Sequence, residues 1–358
     1  MTGRRNNRSA GPIAATVPMS SWRRAYANQA AGIEQAHILC LGDSITQKGV
    51  SNPWSQYSYP ALLSASLAAL TGVTPGTGIV QPSEVGLSTE TRMTTSGTWS
   101  NAGSGPQSYA RSTTTGTLTF TATCRYFVVH FSEWTNTGDW SYTIDGGGSV
   151  ASGGVAGPPH DAKSLTIDCG TDASHVLVLT GPAGGTLRMI INGIDAIRNP
   201  TSGVRVSNVS KSGGTTTGLQ APNYQVSSYP TIMTWDVDLV TLMIGTNDSL
   251  DVYGGTTQFA TAYDALVAPF YRRGIDMILI TPPPPQASSV STVKWTAYCD
   301  IIRSTAELYG CGLCDVTASW GTREADTSKY ADSIHPSQTG IGLIRDLLFT
   351  EVKRMAGV

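Results

Sequence analysis

His37-Ile38-Leu39-Cys40-Leu41-Gly42-Asp43-Ser44-Ile45-Thr46 is an apolar run of strand length that stops at Gly-Asp-Ser. A run apolar at every position reads as a strand covered on both faces, which is the signature of a parallel sheet. Ligands of such sheets bind beyond the carboxyl ends of the strands. Ser44 is therefore expected just past a strand tip, facing a cleft. A serine in an ordinary turn has the same local sequence, so the rest of the chain decides between the two.

Downstream of that stretch, Tyr59 to Leu70 predicts a helix, with Pro60 in its first turn and Leu62, Leu63, Leu67 and Leu70 on one face. Further on, Val204-Arg205-Val206 predicts a strand, and Asp238 to Ile244 and Ile275 to Ile280 predict two more. Phe259, Tyr263, Leu266, Val267 and Phe270 have helical spacing, as do Ile341, Ile344, Leu347, Leu348 and Val352. A helix is expected from about Val290 to Leu308, followed by a strand around Leu313 to Val316. Strands alternating with helices imply a parallel, three-layer α/β sheet.

Between these parts the pattern changes. From Gly76 to about Pro200 no helical period survives. Alternating runs stand instead at Leu118 to Cys124, Phe127 to Phe131, Tyr142 to Ile144, Leu165 to Cys169, Val176 to Leu179 and Leu187 to Ile191, with Asp145-Gly146-Gly147 as a hairpin signal. Short strands between glycine-rich turns predict an all-β sandwich. The expected organisation is a tail and short helix at 1–30, a discontinuous α/β domain at 31–74 and 203–358, and an inserted β-sandwich at 75–202. The short helix would be capped by Ser20 or Ser21 and carry Trp22, Ala25, Tyr26 and Gln29, after a flexible tail from Met1 to Pro18.

Composition narrows the function. With a net charge of -2 and no basic block beyond Arg4-Arg5, the chain lacks the electrostatic footprint of a nucleic-acid binder. No apolar run approaches the roughly 18 residues of a membrane span, and residues 1–17 lack the apolar centre of a secretory leader. The expected location is cytoplasmic or virion-associated, with an extracellular one left open by the weakly charged composition (13% charged residues). Of the six cysteines, Cys124 and Cys169 stand on inward positions, either as a pair or as core thiols. Cys311 and Cys314 form a lone C-x-x-C without a nearby histidine, a poor pattern for zinc.

Two further stretches bear on Ser44. In Asp332-Ser333-Ile334-His335-Pro336, a carboxylate three residues before a histidine can hold its Nδ1 and fix the tautomer, leaving Nε2 to take a proton from a serine. The other histidines, His37, His130, His160 and His175, have no such partner nearby in sequence and read as structural or solvated. A serine nucleophile also needs donors for a developing oxyanion. The amide of Asn247, in Gly245-Thr246-Asn247-Asp248, and the N–H of Gly213, in Asn208 to Thr216, both follow predicted strands and could supply them.

These four blocks, in this order, resemble the SGNH (GDSL-type) hydrolase superfamily: Gly42-Asp43-Ser44-Ile45-Thr46 with Gly49, Asn208 to Gly213, Gly245 to Asp248, and Asp332 to Pro336. Tyr59-Pro60-Ala61-Leu62-Leu63 and the strand ending in Pro282 to Pro284 also look like that family. The resemblance implies a three-layer flavodoxin-like parallel sheet and a carboxylic ester hydrolase working through an acyl-enzyme. It implies Ser44 as nucleophile, His335 as general base and acid, Asp332 as its orienting partner, and Ser44 N–H, Gly213 N–H and the Asn247 amide as the oxyanion hole, with no metal or cofactor. Ser210 stands where that family often has glycine. The Gly-x-Ser-x-Gly elbow of the α/β-hydrolases is absent.

An inserted β-module resembles the arrangement in carbohydrate esterases of that superfamily. Trp99, Trp134, Trp140 and Tyr142 are aromatics that could either stack on sugar rings or fill the module's core. The expected activity is removal of acetyl or other short acyl groups from a glycan. The alternatives are a general short-chain carboxylesterase or lipase with a purely structural sandwich, and a phage virion or cell-surface-binding protein with an auxiliary esterase site.

Overall fold

The computed structural model describes residues 20–47, 54–80, 92–97, 99–101, 110–112, 116–133, 138–152, 162–182, 189–220, 232–233, 235–250, 255–285, 292–321 and 327–358. The expected tail from Met1 to Pro18 lies outside them. The chain opens with α1 (Ser21–Ala30), β1 (Ala36–Gly42), α2 (Ser44–Gln47), α3 (Trp54–Tyr57) and α4 (Tyr59–Thr71). There follow β2 (Gly76–Val80), β3 (Met93–Ser96), β4 (Trp99–Asn101), β5 (Ala110–Ser112), β6 (Thr117–Ser132), β7 (Trp140–Ile144), β8 (Val150–Ser152), β9 (Ala162–Thr180) and β10 (Met189–Ile197). The last part holds β11 (Val204–Asn208), α5 (Thr216–Gln220), β12 (Leu239–Met243), α6 (Thr256–Arg272), β13 (Asp276–Ile280), α7 (Thr292–Tyr309), β14 (Gly312–Cys314), α8 (Val316–Trp320) and α9 (Gln338–Ala356).

Five parallel strands form one sheet in the order β11-β1-β12-β13-β14. Counted among themselves in chain order, these strands run 2-1-3-4-5, the flavodoxin-like doubly wound arrangement. Alternation along β1 explains why both faces are covered. Ile38 and Cys40 enter a core with Trp22 of α1, Leu63 and Leu67 of α4 and Ile344, Leu348 and Val352 of α9. Leu39 and Leu41 enter the opposite core with Phe259, Tyr263 and Phe270 of α6 and Tyr298 and Ile302 of α7. Strand order reverses between β1 and β12, so the crevice for a ligand opens where β1 delivers Ser44 and β12 delivers Asn247.

Residues 76–197 carry a second, nine-stranded antiparallel sheet, built on two long strands, β6 and β9. The sequence predicts each as two short strands, and the structure merges them. In β6 the buried apolar positions are Leu118, Phe120, Ala122 and Cys124, then Phe127, Val129 and Phe131. The inward phase flips between Cys124 and Tyr126, where the β6–β9 register shifts at a bulge. Across the shift β6 advances from Cys124 to Tyr126 while β9 runs from Ala173 to Asp168, and the apolar side of β6 returns to the core in the opposite phase. Cys124 and Cys169 meet near this bulge as hydrogen-bonded thiols, not as a disulfide, and all six cysteines are free. Cys314 enters one core of the parallel sheet while Cys311 packs against the other, so the C-x-x-C pair points two ways.

A buried polar cluster joins the two sheets. Arg205 of β11 pairs through Nη1 with Asp195 Oδ2 of β10 at 2.8 Å, and Asp195 is fully buried. His130 Nε2 lies 3.4 Å from the same oxygen, and its ring stacks on Trp235 with centroids 4.9 Å apart. Arg205 Nη2 also donates to His37 Nδ1, whose Nε2 meets Ser207 Oγ at 3.0 Å. Burial, reinforced by Arg205, holds His37 neutral and pushes its pKa down to about 3. Burial alone would raise the Asp195 carboxyl, but Arg205 and His130 hold it below the usual carboxylate range. These histidines, which have no such partner nearby in sequence, find theirs across long separations. His175 likewise pairs with Asp145 at 2.7 Å, across the β7–β9 hairpin region. His160 lies outside the described residues.

Candidate active site

The turn after β1 is built to hold Ser44. A Cβ at Gly42 would fall 2.4 Å from the Met243 carbonyl oxygen of β12, so only glycine lets the two strand ends approach. Asp43 then caps α2: its Oδ1 accepts the Ile45 N–H at 2.9 Å, and its carbonyl accepts the Gln47 N–H at 3.0 Å. Ser44 begins that short helix, and its Oγ lies 2.9 Å from His335 Nε2.

His335 comes from the loop before α9. That loop is closed by the Tyr330–Pro336 bridge and by the Ala331 N–H donated to the His335 carbonyl at 2.9 Å. Asp332 organises it. Its Oδ1 accepts the N–H groups of Ile334 and His335 at 2.8 and 2.7 Å, and its Oδ2 lies 2.8 Å from His335 Nδ1. Burial would raise the Asp332 carboxyl, but these two backbone donors and the imidazole keep it below its ordinary range. An ionised carboxylate on Nδ1 holds the ring with its proton on that side and leaves Nε2 as the acceptor facing Ser44.

The loop after β11 lies against the Ser44 turn. Lys211 N–H donates to the Gly42 carbonyl at 3.0 Å, and Val209 N–H to the Cys40 carbonyl at 3.1 Å. Gly213 adopts the left-handed conformation (φ 71°), which favours glycine. Ser210 is buried, and its hydroxyl donates to Asn208 Oδ1, so a side chain fits at this position. Asn247, past the end of β12, donates one amide N–H to the Gly214 carbonyl at 2.9 Å. An amide carries two such donors, so this bond uses one of them.

Three residues in or beside the same blocks carry no role in the sequence reading. Gln47 Oε1 accepts the Ser212 N–H at 2.8 Å, and Asn208 Nδ2 donates to the Thr46 carbonyl at 2.9 Å. These two amides lace α2 to the Gly213 loop. Asp248 Oδ1 accepts the N–H and hydroxyl of Thr216 at 2.9 and 2.6 Å, fixing the start of α5. Their signal was proximity to the four blocks; their long-range partners have no local pattern. Of the aromatics considered for sugar stacking, Trp140 is a core residue, edge-on to Phe131 at 5.2 Å. Tyr142 packs against that same core, and Trp99 donates its indole N–H to the Ser96 carbonyl. Trp134 lies outside the described residues. Among the described residues, no helix is long and apolar enough to cross a membrane.

Residues 193–341 match the GDSL-like Lipase/Acylhydrolase family, a span that contains the second, third and fourth blocks. In fold, the chain is similar to a peptidoglycan O-acetylesterase, with a TM-score of 0.71, 17% identity, and coverage of 94% of this chain and 96% of that one. An acetyl-xylooligosaccharide esterase from Geobacillus covers 89% of this chain and 95% of its own at 12% identity, but its TM-score of 0.44 is too low to define a shared fold. No curated protein matches the chain by sequence. The matched segment, under half of the chain, and the fold are thus similar to those of the SGNH, or GDSL-type, hydrolases. That likeness supports a carboxylic ester hydrolase.

Proposed function

We propose that the chain removes acetyl or similarly short acyl groups from a glycan, with Ser44 as nucleophile, His335 as general base and acid, and Asp332 as its orienting partner. The observation that carries this reading is the continuous line Asp332 Oδ2–His335 Nδ1 at 2.8 Å and His335 Nε2–Ser44 Oγ at 2.9 Å. In the reaction, Ser44 Oγ attacks the ester carbonyl as its proton passes to His335 Nε2. The N–H groups of Ser44 and Gly213 and the amide of Asn247 receive the developing oxyanion. The imidazolium returns its proton to the departing sugar oxygen, and a water molecule, deprotonated by His335, then releases the acid from Ser44.

The glycan part of the reading rests on architecture. The bent antiparallel sheet is interpreted as an inserted all-β sandwich spanning 75–202, set into a hydrolase domain of 31–74 and 203–358. The likeness in fold to a peptidoglycan O-acetylesterase over nearly the whole length of both chains supports that organisation. Acetate release should be measured from an acetylated polysaccharide beside a series of aryl esters of increasing acyl length. Efficient release from the polysaccharide and a steep decline beyond the shortest acyl groups are expected. Fast cleavage of longer aryl esters with no release from any glycan would favour the general carboxylesterase.

The oxyanion assignment has its own test. Asn247→Ala should lower kcat about a hundred- to a thousand-fold, the usual cost of one oxyanion donor, with little change in KM. A KM effect alone would place Asn247 in ground-state binding.

A further inference from the structure

The segment Ser212-Gly213-Gly214 is held on both sides of Gly213 by side-chain amides. On one side, Gln47 Oε1 accepts the Ser212 N–H at 2.8 Å. Both residues are buried, Gln47 being only 3% exposed, so this bond is made out of water. On the other side, the Asn247 amide donates to the Gly214 carbonyl at 2.9 Å. One residue before Ser212, the Lys211 N–H is taken by the Gly42 carbonyl at 3.0 Å. The Gly213 N–H lies between these fixed points and has no acceptor among the described residues. Glycine is the most permissive residue in the backbone. The left-handed turn at Gly213 therefore does not by itself fix where that N–H points. Its neighbours must do so.

Gln47 is the neighbour that belongs to the turn of Ser44. It closes the short helix that begins at Ser44. Its own N–H is held by the Asp43 carbonyl at 3.0 Å. Its carbonyl and that of Thr46 accept from Asn208 Nδ2 at 3.4 and 2.9 Å. The acceptor for Ser212 thus stands on backbone that is itself pinned to the turn carrying Ser44. Oxyanion donors are effective because they are in place before charge develops, so the distance from Ser44 Oγ to the Gly213 N–H has to be held. We propose that Gln47 is a positioning residue for the oxyanion hole: its amide oxygen, through Ser212, fixes the Gly213 N–H relative to Ser44. The inference rests on the reading of Ser44 as nucleophile and Gly213 as oxyanion donor, and deepens it by naming the side chain that joins the two.

The test uses the full chain carrying Gln47→Leu, which leaves the Ser212 N–H without its acceptor, assayed on a short-chain aryl ester. A small misplacement of a reacting group costs up to about a hundredfold, so kcat should fall about ten- to a hundredfold with KM nearly unchanged. Ethylboronic acid reads the oxyanion hole directly. It adds to the serine oxygen as a tetrahedral anion, the serine proton passing to His335 Nε2. Its inhibition constant should rise by the factor by which kcat/KM falls, as for any mimic of the transition state. Tyr59→Phe controls for a general loosening of the turn. It removes the bond from the Tyr59 hydroxyl to Thr46 Oγ1 at 3.1 Å, in the same short helix, a bond that does not involve the Gly213 loop. It should lower the melting temperature and leave kcat and boronate affinity near native. Gln47→Asn keeps an amide but withdraws it by one methylene, and should show the Gln47→Leu pattern in smaller measure if that variant does not fold. Native kcat and boronate affinity in Gln47→Leu, a rise in KM alone, or an equal loss in Tyr59→Phe would overturn the proposal. So would failure of both Gln47 variants to fold, which would make the residue a requirement of the fold. These outcomes leave the nucleophile standing so long as Ser44→Ala is inactive. Retained turnover in Ser44→Ala would instead remove the reading beneath the proposal.

Discussion

Ser44→Ala is expected to lower kcat on a short-chain aryl ester by about ten-thousand- to a million-fold, the range seen when a nucleophile is taken from a serine triad. Its hydroxyl has a single identified side-chain partner, His335 Nε2. The variant should therefore keep the native melting temperature and far-ultraviolet dichroism while losing turnover. His335→Ala should cost a similar factor, and the double variant little more than either alone, because the two side chains act as one unit. Additive losses would mean that the two work in separate steps. Retained aryl-ester turnover in Ser44→Ala would move the nucleophile elsewhere. Burst kinetics add a second reading: a native chain that accumulates an acyl-enzyme should show a rapid first release of aryl alcohol, and Ser44→Ala should show none.

This constellation was unusually legible in sequence, for a local reason. Asp332 and His335 are three residues apart, so one turn brings carboxylate and imidazole together. Ser44, Gly213 and Asn247 follow the ends of β1, β11 and β12, and neighbouring strands of a parallel sheet bring such ends to one edge. What stayed hidden depends on pairings across long separations. His130 meets Asp195 sixty-five residues away and stacks on Trp235, and nothing in the sequence near any of the three announces the others. The merged strand β6 was hidden differently. A bulge between Cys124 and Tyr126 reverses the inward phase, so a strict two-residue alternation reads one bent strand as two. Trp140 shows the limit of composition: an aromatic that suits a sugar suits a core equally, and only its burial against Phe131 decides.

The same turn that presents Ser44 also buries charge, and this should make the stability of the fold depend on pH. Asp43 is almost fully buried, and its Oδ2 has no hydrogen-bond partner. Asp248 is buried nearby, also with its Oδ2 unpartnered. Burial, opposed by the Ile45 N–H and reinforced by the charge of Asp248, pushes the Asp43 carboxyl up to about 7. Burial raises Asp248 as well. A carboxyl that holds its proton more tightly in the folded chain than in the unfolded one contributes stability that is fully present below the ordinary carboxylate range. That contribution is lost as pH rises to the folded value. The Asp43 contribution should therefore fall between about pH 4 and about pH 7, by on the order of 4 kcal/mol, while His37, held neutral by burial, contributes with the opposite sign as pH rises from about 3 towards its ordinary value. Asp195, held below the ordinary range, acts in the separate, more acidic window, where its contribution fades as pH drops. Asp43→Asn separates capping from ionisation. The amide oxygen can still accept the Ile45 N–H, so the cap is kept, but no charge remains to be buried. Urea unfolding at intervals from pH 4 to 8 isolates the Asp43 contribution as the difference between the two chains: Asp43→Asn should gain stability relative to the native chain as pH rises from 4 to 7 and be the more stable at pH 8. Parallel profiles for the two chains would show that Asp43 does not hold a proton through this range, and that the turn at Ser44 carries a buried carboxylate at neutral pH.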